Sequence, residues 1–233
     1  MALRIETGIV LMLVAASAHA AELRVDARHD HARKGCTGAL QVEADGVQFA
    51  GSRTKKPHKW TWKWLDVQQA ILEPGRLTVL IYADNRWKLG TDREYVFLFS
   101  RDTALDGAAA LLRANLGLRY VDGMARPAGA LWQLETRQGR LIVSPGHVVL
   151  ETGKPRGSRT WRYEDIESVS TDGPFDLTLT TFERSRVHYG SRKSFHLQLK
   201  EPLAEERYDS LWRRVESRRG LGVLNSYRPD GLE

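Results

Sequence analysis

Cysteine is almost missing from this chain. A single one, Cys36, stands among 233 residues, so no internal disulfide can staple the fold. Its setting also lacks the C-x-x-C-H spacing that attaches haem. Stability must therefore come from an apolar core, which a chain of this length is large enough to build. Long apolar runs are missing beyond residue 20, and a membrane-spanning helix needs about 20 apolar residues in succession. No run of lysine or arginine forms an arm of the kind that binds nucleic acid. Also missing are a Gly-rich phosphate loop between a strand and a helix, an H-E-x-x-H pair and a G-x-S-x-G turn. Ser52-Arg53-Thr54-Lys55 fits S-x-x-K, but it lies in a basic turn without the companion motifs and is a chance match. These gaps leave no catalytic group and no cofactor or metal site in clear view, and they point away from an enzyme.

What is present begins at the N-terminus. Arg4 precedes an apolar stretch from Gly8 to Ala18 that closes with Ala18-His19-Ala20. That is the pattern of a secretory signal peptide over residues 1–20, cleaved near Ala20, with an uncleaved membrane anchor as the alternative. The mature protein is therefore expected to be exported, either periplasmic or secreted. Its net charge of +6 and pI near 9.5 favour contact with anionic envelope surfaces over nucleic acid.

The chain then reads twice, at a period of about 100 residues. Leu40, Val42 and Val47 lie over Leu141, Val143 and Val148, and Trp62 lies over Trp161. Asp66-Val67 falls on Asp165-Ile166, and Gly90 falls on Gly190. In each copy, apolar residues alternate at period 2, as in Leu77/Val79/Ile81 and Leu177/Leu179, which predicts strands. Turn residues separate them: Asp45-Gly46, Pro74-Gly75 and Pro145-Gly146. The period then switches to 3.6, with Leu105, Ala108, Ala109, Leu112 and Leu116 on one helical stripe. Tyr208, Leu211, Trp212 and Val215 form the other. Thr103 with Asp106 resembles a capping box for the first helix.

Several short strands followed by one amphipathic helix, present twice, resemble the pleckstrin-homology-like domain of the bacterial PH or GRAM-like kind. The resemblance rests on "GALQVEADGVQF" against "GRLIVSPGHVVL", on "WKWLDV" against "WRYEDI", and on the terminal helices. It implies a mainly β fold with α: two tandem PH-like barrels, each of several antiparallel strands closed by a C-terminal helix. The organisation that follows is a signal peptide over 1–20, a first domain with a leader strand over 21–116, and a linker over 117–131. The second domain covers 132–219 and a tail covers 220–233.

Three of the seven tryptophans, Trp60, Trp62 and Trp64, alternate within five residues and so share one face of a strand. Trp161 and Tyr163 repeat the last two, while Arg159 stands over Trp60. Aromatic residues kept at one element in both copies predict core packing, with Trp60 the candidate for a ligand platform. Asp66 and Asp165 recur without a repeated acid or base partner, so they predict a corner role, accepting backbone N–H bonds. His29 and His31 could face one way on a strand, but a stable metal site wants a third ligand.

One polar feature is duplicated along with the fold. The turn between the second and third strands of each copy is basic, with Arg53, Lys55, Lys56 and Lys59 in one and Lys154, Arg156 and Arg159 in the other. Together with Trp60 these are the candidate binding residues. The expected function is non-enzymatic binding or scaffolding in a bacterial cell envelope, toward an unidentified protein or anionic envelope component. One alternative is an anionic lipid or polymer binder, in peripheral contact with a membrane surface through residues 51–59 and 152–159. Another is a metal-dependent enzyme using the His29/His31 region.

Overall fold

The computed structural model describes residues 23–30, 35–52, 58–85, 91–154, 156–185 and 191–217. The signal-like segment, His31, Arg53, Lys55 and Lys56 lie outside the described residues. The first half contains β1 (Leu23–Asp30), β2 (Cys36–Glu43), β3 (Gly46–Gly51), β4 (Lys59–Lys63), β5 (Val67–Glu73), β6 (Arg76–Asp84) and β7 (Asp92–Leu98), then α1 (Asp106–Leu116). A short strand, β8 (Tyr120–Asp122), follows. The second half contains β9 (Trp132–Glu135), β10 (Gly139–Val143), β11 (His147–Thr152), β12 (Arg159–Arg162), β13 (Ile166–Ser170), β14 (Asp176–Arg184) and β15 (Arg192–Gln198), then α2 (Glu205–Ser217).

Alternation explains why these segments are strands. Leu40 and Val42 of β2, Val47 and Phe49 of β3, and Leu77 and Val79 of β6 are fully buried, and each half gathers its inward residues into its own apolar cluster. The β5–β6 turn depends on Gly75, whose φ of 73° lies where side chains are strained. A Cβ there would come within 2.9 Å of the Arg101 side chain. Pro74 before it supplies the matching fixed φ.

The sheet order corrects the expectation of two closed barrels. The protein is mainly β with two helices, and its strands form a large mixed sheet and a small one. The first is 12-stranded, in the order β4-β3-β2-β1-β7-β6-β5-β8-β12-β11-β10-β9, and the second is β13-β14-β15. β4 ends the large sheet instead of pairing with β5. β5 gives its edge to β8 in parallel register, with Ala70, Ile71 and Leu72 opposite Tyr120, Val121 and Asp122. The other edge of β8 meets β12 at Asp122–Thr160. A strand edge filled by β8 is no longer available to close a barrel.

Three further differences concern the leader strand and the helices. The leader strand is β1, and it sits inside the sheet between β2 and β7. The basic turns lie in the connections expected, between β3 and β4 and between β11 and β12. No side chain caps α1, because Thr103 Oγ1 donates to the Ser100 carbonyl at 2.8 Å instead. Finally, α2 buries Leu211 and Val215 while Trp212 is 39% exposed, so the tryptophan does not plug the second core. Among the described residues no helix is long and apolar enough to cross a membrane.

Candidate functional site

The segment expected to be a linker is the join between the halves. Tyr120, Val121 and Asp122 are all buried. Gly123 donates its N–H to the Leu72 carbonyl at 2.8 Å, and a Cβ on Gly123 would meet Glu73 Cγ at 2.4 Å. Thr160 Oγ1 donates to the Met124 carbonyl at 2.8 Å and accepts the Arg126 N–H at 3.0 Å. The Arg126 side chain then holds Asp106 and Asp122, while His147 Nε2 donates to the Arg126 carbonyl.

Charged side chains cross the same join. Arg113 from α1 reaches Asp165 through two hydrogen bonds, of 2.6 and 2.8 Å. Burial raises the Asp165 carboxyl, and Arg113 pulls it only part of the way back. Burial, with Asp122 adding to it, pushes the Tyr120 hydroxyl far above its ordinary range. Arg119 donates to the carbonyls of Trp64 and Val67, tying the corner before β5 to the residues after α1.

Beside the join lies a cleft of about 1040 Å³, lined by both halves. The first half contributes Glu73, Arg76, Thr78 and Asp92, and the second contributes Arg156, Arg159, Glu183 and Lys193. Arg159 is 5% exposed and places Nε and Nη2 on Glu183 at 3.0 and 3.1 Å, with Nη1 3.4 Å from Glu73. Lys193 Nζ adds a second cation to Glu183 at 2.6 Å. Burial acts to raise the Glu183 carboxyl, but the Arg159 bonds, followed by the Lys193 charge, outweigh it and hold the group below its usual range. A carboxylate held ionised in this way is suited to structural pairing and poorly suited to donating a proton. Arg184 bridges the halves as well, bonding Gln68 and, at 2.6 Å, Asp92.

The candidate residues therefore separate. Lys59 and Lys154 are exposed, on different halves. Arg156 is exposed at the cleft margin with a φ of 67°, a conformation that costs a non-glycine residue about 1–3 kcal/mol. Arg159 does not belong to a solvated basic turn, because it is buried among carboxylates. Trp60 is half-buried and packs on the first core, stacked on Trp62 with ring centroids 6.0 Å apart. Trp62 and Trp64 are buried, and Trp64 Nε1 donates to the Ala44 carbonyl at 2.8 Å.

The two repeated aspartates do what their position implied. Asp66 Oδ2 accepts the Lys63 N–H and Asp165 Oδ2 accepts the Arg162 N–H, each at 2.9 Å. His29 is buried beneath Trp60, with ring centroids 4.7 Å apart and Cys36 Sγ 3.9 Å from its Nδ1. Among the described residues no group of three His, Cys, Asp or Glu could hold a metal ion. Sequence reasoning missed Glu73, Arg113 and Glu183. One signal was available: Arg159 is a charge at a strand position where the other copy carries tryptophan.

No family model matches this chain, and no curated protein does. The Spt16D Pob3N heterodimer superposes with a TM-score of 0.31 and 8% sequence identity, over 76% of this chain and 96% of that one. A likeness that slight carries no argument about fold or function.

Proposed function

We propose that this is an exported, non-enzymatic binding or scaffolding protein of the bacterial cell envelope. In this reading each half is a pleckstrin-homology-like roll, left open where β8 occupies the edge that closure would need. The observation that supports the reading best is the shared cleft. Two duplicated units are locked by β8 and by buried ion pairs, and the cleft they form takes charged groups from both. Such a surface is fixed in shape before a ligand arrives, which lowers the ordering cost of binding. Its charged groups are already paired with one another, which suits recognition of a polar partner carrying both signs.

Exposure of Lys59, Lys154 and Arg156 favours one second reading, attraction to anionic lipid headgroups or envelope polymers. Contacts of this kind are weak and are screened by salt over a Debye length of about 8 Å at physiological strength. Arg156→Gly separates binding from folding, since it relieves the positive φ while deleting the cation. Affinity capture from the envelope fraction of the native bacterium, with wild type and Arg156→Gly as baits, tests the main reading. A partner retained by wild type and lost by the equally stable variant is expected. Equal capture by both would sink the cleft as the binding surface. Sedimentation with anionic vesicles or cell-wall polymer tests the second reading, which fails if wild type stays in solution even at low salt.

A further inference from the structure

Among the described residues the internal join has a counterpart surface that no element covers. In the second half, the surface that receives β8 and the end of α1 is made by Thr160, on the β12 edge, and by Asp165, at the corner before β13. The repeat places Thr61 and Asp66 at the same positions in the first half, on β4 and at the corner before β5. Both are retained and both are exposed, whereas Asp165 is buried by Arg113. Among the described residues β4 also ends its sheet, and no strand pairs with its outer edge.

The opposite end of the molecule carries the matching donor. Leu211 and Val215 are buried as Leu112 and Leu116 are, and this alignment sets Trp212 at the place of Arg113. Trp212 is 39% exposed, and Leu65, next to Asp66, is 83% exposed. The polar contact of the internal join, Arg113 on Asp165, would thus be replaced by an apolar one, Trp212 on Leu65. Arg213, with a side chain 68% exposed and 3.8 Å from Asp209 of the same helix, stands beside Trp212.

We propose that a second copy of this chain docks head to tail on the β4 edge, its α2 setting Trp212 on Leu65 in the place that Arg113 of α1 takes on the second half. Donor and acceptor are different surfaces, so the contact is heterologous. Unless its rotation closes a ring, it propagates into chains. The contact does not use the cleft, so it stands independently of what the cleft binds.

The test uses the full chain in sedimentation equilibrium from micromolar to near-millimolar concentration. Wild type is expected to pass beyond dimer as concentration rises. Leu65→Arg with Thr61→Arg removes the acceptor, Trp212→Glu removes the donor, and each variant alone should remain a monomer with an unchanged melting temperature. Mixed in equal amounts, the two variants should form a dimer and stop there, because each keeps the surface the other lacks. A wild type that stays monomeric throughout overturns the proposal. So does an assembly that survives both variants, or one in which the mixture does not associate.

Discussion

Trp60 and Arg159 hold the same place in the repeated pattern, one strand before the same corner, and their surroundings have diverged. Trp60 lies on an aromatic nest with His29, Trp62 and Tyr95, at ring separations of 4.7, 6.0 and 5.2 Å. Arg159 lies among Glu183, Lys193 and, from the other half, Glu73. The corners that follow diverge in the same sense: Asp66 is exposed, while Asp165 is buried under Arg113. The helices repeat the contrast, with Arg113 turned to the join and Trp212 turned to solvent. Where the halves must each fold, their residues agree in type. Where they meet, or where one end is left over, they differ.

The comparison is most easily broken at Arg159. Arg159→Ala should cost about 3–5 kcal/mol in urea unfolding, because Glu183 and Glu73 stay buried with their main partner removed. A loss under about 1 kcal/mol would mean the cluster is as weak as a surface ion pair. The helices offer the next test. Leu211→Ala removes a fully buried side chain and should cost about 2–5 kcal/mol. Its neighbour Trp212→Ala, being solvent-facing, should change stability by about 0.5 kcal/mol or less. Equal losses at the two positions would restore the tryptophan to the core.

The aspartates give a smaller contrast. Asp165→Asn keeps the corner acceptor but removes the charge facing Arg113, and should cost about 1.5–3 kcal/mol. Asp66→Asn should cost about 0.5 kcal/mol or less, since its carboxylate is exposed. Acid adds a distinct signature. The folded Glu183 carboxyl lies below its usual 4.5, so its stabilisation is complete above that value and fades as pH falls through the lower folded one. Asp165 and Asp122 are shifted upward by burial, so the folded state takes up their protons more readily, and they oppose this loss. The stability gap between wild type and Arg159→Ala should therefore narrow below about pH 4.5. A gap that stays constant into acid would place the effect of Arg159 in packing alone.

Much of the fold was legible because duplication made it so. Leu40 over Leu141 and Val47 over Val148 are buried pairs of that pattern, and the two aspartates accept the backbone N–H bonds their position implied. What was not legible depends on contacts far apart in sequence. Nothing near Tyr120 marks three residues as a strand, because β8 exists only through edges supplied by β5 and β12. Arg159 read as one more cation in a basic turn, since its carboxylates come from β5 and β14. The helical stripe admitted Trp212 by spacing alone, while the real buried seam is the narrower line through Leu211 and Val215.

β8 and the buried ion pairs make the two duplicated halves a single cooperative body. Differential scanning calorimetry of the full chain addresses this directly. The account predicts one transition whose calorimetric enthalpy equals its van't Hoff enthalpy, and which splits in two when Arg113 and Arg159 are both replaced by alanine. Two separate transitions in the wild type, at temperatures those replacements do not move, would contradict it.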